Sequence, residues 1–229
     1  MKTYYIVGLL TFLMISACKT EPKKSEDTVE TTETEKTIPE LIAEAHGFNN
    51  WKDVEEITFT FNVDRDSMHF ERKWDWKPKT NMVTAISGAD TLTYDRADMD
   101  SIAQKTNGGF INDRYWLMAP FNLMWDSNNY SYEHTAEAIA PISEEFMQKL
   151  TIVYANEGGY TPGDAYDFYF KDDFIVREWA YRKSNQEEPS LVSTWEDYVD
   201  VEGLQLARQH NRPNGGLSLY FTGLSVSKE

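Results

Sequence analysis

Four histidines, the adjacent carboxylates Asp172-Asp173 and Glu144-Glu145, Arg72 set among aromatics and a single cysteine are the candidates for chemistry in this 229-residue chain. His69 and Glu71 stand two apart, a spacing that in a strand puts both on one face, where they could share a metal ion. Lys73, Asp75 and Lys77 continue the same row, so it reads as a solvated polar face. His46 precedes Gly47 and reads as the C-terminal residue of a helix, interacting favourably with its dipole. Glu133 and His134 would point to opposite faces of a strand, and His210 lies in a polar stretch read as a turn. Asp172-Asp173 and Glu144-Glu145 are neighbours in turns, whereas glycoside hydrolysis needs two carboxyls about 5–9 Å apart across a cleft. The sequence holds no Gly-x-Ser-x-Gly, Cys-x-x-Cys, His-Glu-x-x-His or phosphate-loop pattern. No catalytic residue, metal or cofactor is therefore assigned. Arg72 stands apart: it falls among Met68, Phe70, Trp74 and Trp76. Because a buried, unpaired guanidinium is costly, it is either ion-paired or a polar anchor for a ligand's head group.

The cysteine has the most specific setting. Met1-Lys2-Thr3 carries one positive charge, and Tyr4–Ile15 is almost wholly apolar. That run is shorter than the about 20 residues a membrane-spanning helix requires. A charged start, a short apolar core and small residues before a cleavage point describe an export signal. Ile15-Ser16-Ala17-Cys18 resembles the bacterial lipobox, which implies diacylglycerol on the Cys18 thiol, cleavage before it and a lipid anchor in a membrane. The chain has no second cysteine for a disulfide, and lipidation removes an otherwise reactive thiol. Lys19 follows in place of the aspartate that would imply inner-membrane retention, so the resemblance implies an outer-membrane lipoprotein of the cell envelope, on its periplasmic face or at the cell surface.

The elements that must position any site follow in order. Residues 1–17 form the signal, and 18–37 carry the lipidated cysteine and a Thr/Glu/Lys-rich linker with too little apolar surface to order itself. Residues 38–229 form the folded domain. With 22 Lys+Arg against 38 Asp+Glu the chain is strongly acidic, which disfavours nucleic acid as a partner. Thr37 and Glu40 make a capping box ahead of a helix over Ile38–Ala45, which Gly47 ends. From Val54 the period becomes two: Ile57, Phe59, Phe61 and Val63 alternate with polar residues, and a second strand, 68–77, follows a turn. Strands at 82–86 and 91–94 complete a meander. Asp98–Lys105 reads as a short helix broken by Asn107-Gly108-Gly109. Phe110–Trp125, the most apolar stretch after the signal, reads as one or two short helical pieces in the concavity of the sheet. Further strands are expected at 132–139, 149–155, 165–171, 174–182, 191–198 and 217–224, with 201–207 a strand or a bend. The expected fold is mainly β: a curved antiparallel half-barrel of about ten strands, with an N-terminal helix and a short helical segment covering its concave face.

Phe59, Phe61, Phe70, Trp74 and Trp76, with Tyr115, Trp116, Phe121 and Trp125, form an aromatic stripe. With Arg72 they are the candidate lining of a ligand cavity: the stripe reads most simply as a filled core, part of which a curved sheet can leave open.

The N-terminal helix, the long meander, the Tyr115–Pro120 segment (Tyr-Trp-Leu-x-x-Pro) and the late Tyr198-x-x-Val201-x-Gly203-Leu204 element resemble the LolA/LolB-like lipoprotein-carrier superfamily. Ala45-His46-Gly47, with Trp51 after it, is similar to outer-membrane lipoproteins of Bacteroidota. The resemblance implies an open half-barrel closed by helices and a lipid or acyl chain as ligand. The resulting expectation is a membrane-anchored, non-enzymatic lipoprotein that binds a hydrophobic or acylated ligand. Two alternatives stand beside it: an interaction lipoprotein with a filled core, and an envelope hydrolase.

Overall fold

The computed structural model describes Met1, residues 35–213 and residues 215–229. The signal segment, Cys18, the linker up to residue 34 and Asn214 lie outside the described residues. Residues 36–229 form one compact unit.

The unit opens with helix α1 (Ile38–Ala45) and a short 3-10 turn (Phe48–Asp53). The capping box is formed: the Glu40 carboxylate accepts from the Thr37 backbone N–H at 2.7 Å and from the Thr37 hydroxyl at 2.8 Å. Strands β1 (Val54–Arg65), β2 (Met68–Lys77), β3 (Met82–Ser87) and β4 (Asp90–Asp95) follow as the expected meander. Helix α2 (Ser101–Trp125) comes next, and after it β5 (Tyr130–Ile139), β6 (Phe146–Tyr154), β7 (Ala165–Phe170), β8 (Val176–Arg182) and β9 (Leu191–Thr194). Strands β10 (Glu196–Val201), β11 (Leu204–Asn211) and β12 (Ser218–Lys228) close the chain.

The described residues thus hold twelve strands, all antiparallel, in two sheets: β10-β11-β12-β1-β2-β3-β4 and β5-β6-β7-β8-β9. The mainly β, half-open architecture is the expected one, with two sheets in place of a single curved one. The division falls at Trp195. The stretch 191–198 reads as one strand, but Trp195 is buried between β9 and β10, and the chain passes there from the small sheet to the large one. A seam remains: the Asn211 N–H donates to the Thr194 hydroxyl at 2.9 Å, and His210 Nδ1 lies 3.1 Å from the Thr194 carbonyl.

Helix α2 departs most from expectation. It is one 25-residue helix capped by Asp100, whose carboxylate accepts from the Ala103 N–H at 2.8 Å. Gly108-Gly109 does not break it. A Cβ at Gly109 would stand 2.7 Å from Nη1 of Arg72, so glycine leaves room for the Arg72 guanidinium, and that packing offsets the about 1 kcal/mol of lost helix propensity. Asn107 is held by Tyr94, Arg96 and Tyr160. The actual kink lies at Met118 (φ −130°, ψ 25°), two residues before Pro120, whose ring excludes a regular turn.

The helix is buried on more than one side because it lies between the sheets. Phe110, Leu117 and Phe121 join the core of the large sheet, and Ala119 and Leu123 that of the small sheet. Trp116 packs against both. This accounts for its sequence: a helix covered on several faces loses the simple one-sided stripe. No helix among the described residues is long and apolar enough to cross a membrane.

Candidate ligand cavity

Between α2 and the two sheets lies a cavity of about 790 Å³, within the roughly 300–1,000 Å³ that small-ligand sites occupy. Trp51, Trp76 and Arg96 line it from the side of the large sheet, and Tyr154, Tyr166 and Trp179 from the small one. Ile111, Arg114, Tyr115 and Trp125 line it from α2, and the loop carrying Gly158, Gly159 and Tyr160 borders it. Asn107 of α2 donates to the Tyr160 hydroxyl at 2.7 Å, which ties that loop to the helix.

Ten of the lining residues are tryptophans or tyrosines. Tyr115 packs on Tyr166 with centroids 4.8 Å apart, and Trp116 on Trp179 at 4.7 Å. Within them sits Arg114, only 8% exposed. Its guanidinium carbon lies 4.8, 5.4 and 5.8 Å from the ring centres of Trp125, Trp76 and Phe110, within cation–π range. Among the described residues Arg114 Nε, Asn122 Oδ1 and the indole N–H groups of Trp76 and Trp179 are buried without a hydrogen-bond partner; all four residues line the cavity. Burial, with Arg96 nearby, lowers the Arg114 pKa to about 10, which leaves it charged at neutral pH. Burial raises the phenols of Tyr115 and Tyr154, so both stay protonated. Tyr154 donates to Asp126 at 3.0 Å, and its hydroxyl lies 3.4 Å from that of Tyr115.

The residues singled out in sequence divide into three groups. Trp76, Tyr115, Trp116 and Trp125 line the cavity. Phe59, Phe61, Trp74 and Phe121 are closed into the core around the large sheet, so for them the filled-core reading holds. Phe70 is 45% exposed: it lies near the tip of the β1–β2 hairpin, which projects beyond the core, so it lines no interior space. Of the two roles open to Arg72, the structure places it in the ion pair. Its Nε and Nη2 donate to the two oxygens of Asp113 at 2.9 and 2.7 Å, and Trp74 Nε1 adds a third bond at 2.8 Å. Arg114, the residue after Asp113, lines the cavity instead. The signal that marks Arg72 in sequence, a cation among aromatics, is also present at Arg114 within Phe110–Trp125.

The histidines fall outside the cavity. His69 is exposed, 2.7 Å from Asp64 and 3.5 Å from Glu71, and among the described residues no three His, Cys, Asp or Glu converge on a metal position. His46 does follow α1, but it does not act as a charge on the helix dipole. It is fully buried, Nδ1 bonds the Ile42 carbonyl at 2.8 Å, Nε2 lies 3.2 Å from the Tyr198 hydroxyl, and burial lowers its pKa to about 4. His210 is not in a polar turn: it sits inside β11 against Trp195, with centroids 4.7 Å apart, and burial lowers it to about 3.

Two of the stretches that carried a resemblance, Ala45-His46-Gly47 and Tyr198–Leu204, meet in space. His46 touches Tyr198, the Gln205 N–H donates to the His46 carbonyl at 3.0 Å, and a Cβ at Gly47 would stand 2.0 Å from the Gly203 oxygen. They form a clasp between α1 and the β10–β11 turn, away from the cavity.

No protein-family model matches the chain, and no curated protein sequence does. Among solved structures, it is similar to a DUF1329 family protein from Desulfovibrio piger, at 11% identity and a TM-score of 0.49, over 83% of this chain and 92% of that one. It is also similar to a putative outer membrane lipoprotein-sorting protein domain from Vibrio parahaemolyticus, at 10% identity and a TM-score of 0.45, over 81% of this chain and 92% of that one. At these values the likeness carries no function, and the functional reading rests on the cavity.

Proposed function

We propose that the chain is an envelope lipoprotein, held to the outer membrane through Cys18, that binds a hydrophobic or acylated ligand between α2 and its sheets without changing it chemically. The observation that supports this reading is the cavity of about 790 Å³ walled by indole and phenol rings. Each methylene of an alkyl chain moved from water onto such a wall contributes about 0.8 kcal/mol. A scaffold with a filled core would leave no such space, and an envelope hydrolase would need converging acid and base groups. Two carboxylates line the cavity, Asp126 and Glu157, and Asp126 is engaged by Asn122 and Tyr154.

Native mass spectrometry with added fatty acid or phospholipid tests the reading. A single saturable adduct is expected; protein that stays at bare mass with both would reject ligand binding. Cys18→Ser tests the anchor separately: the variant is expected to lose acyl-chain incorporation and leave the membrane fraction.

A further inference from the structure

We infer that the ligand is an amphiphile with an acidic head, a carboxylate or a phosphate monoester, received by the guanidinium of Arg114 with Arg96 beside it. This rests on the carrier reading above and specifies what the cavity carries.

The argument starts from cost. A guanidinium taken out of water is retained only where something compensates it. Arg114 is buried within the domain and lines the cavity, its Nε has no partner, and no carboxylate forms a salt bridge with it among the described residues. The chain does not lack carboxylates: it has 38 acidic residues. Two of them, Asp126 and Glu157, line the same cavity, yet among the described residues neither forms a salt bridge with Arg114; Asp126 Oδ2 accepts instead from Asn122 at 2.8 Å and from Tyr154 at 3.0 Å. Arg96 also lines the cavity and stacks 5.4 Å over Phe110, the ring that Arg114 covers at 5.8 Å. Two cations that line the cavity therefore stack on one buried ring, an arrangement that favours an anion beside them in the cavity. A planar guanidinium suits an acid head because it can present two parallel N–H donors to two oxygens. The indoles of Trp51, Trp76 and Trp125 supply the surface for the apolar tail.

The rings around Arg114 offer a competing account, in which cation–π contacts alone keep it and the cavity is indifferent to the head group. A head-group series at constant tail separates the two. The full chain is titrated by calorimetry with decanoate, decyl phosphate, decanol and decyltrimethylammonium. Decanoate, decyl phosphate or both are expected to bind about 10- to 100-fold more tightly than decanol, the range of one or two charge-assisted hydrogen bonds, and the tighter of the two acids names the head. Arg114→Met is expected to bring the acids down to decanol, and Arg114→Lys to retain part of the preference. Equal binding of acid and alcohol by the wild-type protein, or tightest binding of the ammonium amphiphile, overturns the acidic-head inference and leaves the carrier reading standing. Binding of none of the four overturns both. The wild-type series decides the matter even if Arg114→Met does not fold.

Discussion

Arg72 and Arg114 lie on either side of one residue, Asp113, and meet opposite fates. Both guanidinium groups stack on rings: Arg72 is 5.0 Å from Phe70 and 5.8 Å from Trp74, and Arg114 is 4.8 Å from Trp125. What separates them is the counter-charge. Arg72 is held by both oxygens of Asp113; Arg114 faces a cavity with its Nε unpartnered. A polar group in an apolar setting thus shows its work by whether the chain supplies its partner. The first arginine fixes β2 to α2, and the second is the one the proposed ligand would meet. The clasp of His46, Tyr198 and Gly203 belongs with Arg72, because its polar atoms are satisfied from within.

The largest effect that sharpens this contrast is acid unfolding. His46 and His210 are buried neutral, with pKa values of about 4 and about 3 against 6.5 for the ordinary imidazole. Below pH 6.5 the unfolded chain binds more protons than the folded one, so stability is full above that pH and falls as pH drops towards 4. Each histidine contributes up to about 1.4 kcal/mol per pH unit in that window. Urea midpoints measured from pH 7 to 4 should follow this slope, and His210→Gln should flatten it. Next comes Arg72→Met, which strands a fully buried carboxylate: a loss of about 3–5 kcal/mol is expected in urea unfolding, with most of it recovered in Arg72→Met/Asp113→Leu. Gly47→Ala is expected to cost more than the about 1–2 kcal/mol of a left-handed conformation, because Gly47 (φ 88°) also abuts the Gly203 oxygen. Arg114→Met should change stability by no more than about 1 kcal/mol, since removing an unpaired buried charge offsets the missing cation–π attraction. A loss as large as that of Arg72→Met would erase the contrast. Lys171→Met, which removes an exposed pair with Glu145, should leave the midpoint unchanged.

Much of the fold was legible because strand periodicity is a local signal. Ile57, Phe59 and Phe61 alternate with polar residues and do point into the core, and the Thr37–Glu40 box does start α1. Helix α2 was illegible as one element because its two local markers mislead. Gly108-Gly109 looks like a break, but Gly109 answers to Arg72 across the packing, while the real kink near Pro120 lies inside an apolar run. Four cavity residues were legible as aromatics. Arg114 was not, because separating it from Arg72 requires knowing which of the two Asp113 chooses, a contact 41 positions apart in the chain. Tyr154, Tyr166 and Trp179 come from strands whose role depends on how the two sheets face α2, which no short stretch encodes. His210 shows the same limit: a polar-looking local sequence ended inside a strand because Trp195 and Trp116 close over it.

The central claim is that an apolar tail lies against the cavity tryptophans, and quenching by a decanoate brominated at its far end tests it most directly. Trp51, Trp76, Trp116, Trp125 and Trp179 line the cavity, so bromine carried into it should quench intrinsic fluorescence saturably, at one molecule per chain, and unbrominated decanoate should reverse the quenching. Quenching that rises linearly without saturation, or that unbrominated decanoate does not reverse, would contradict the account.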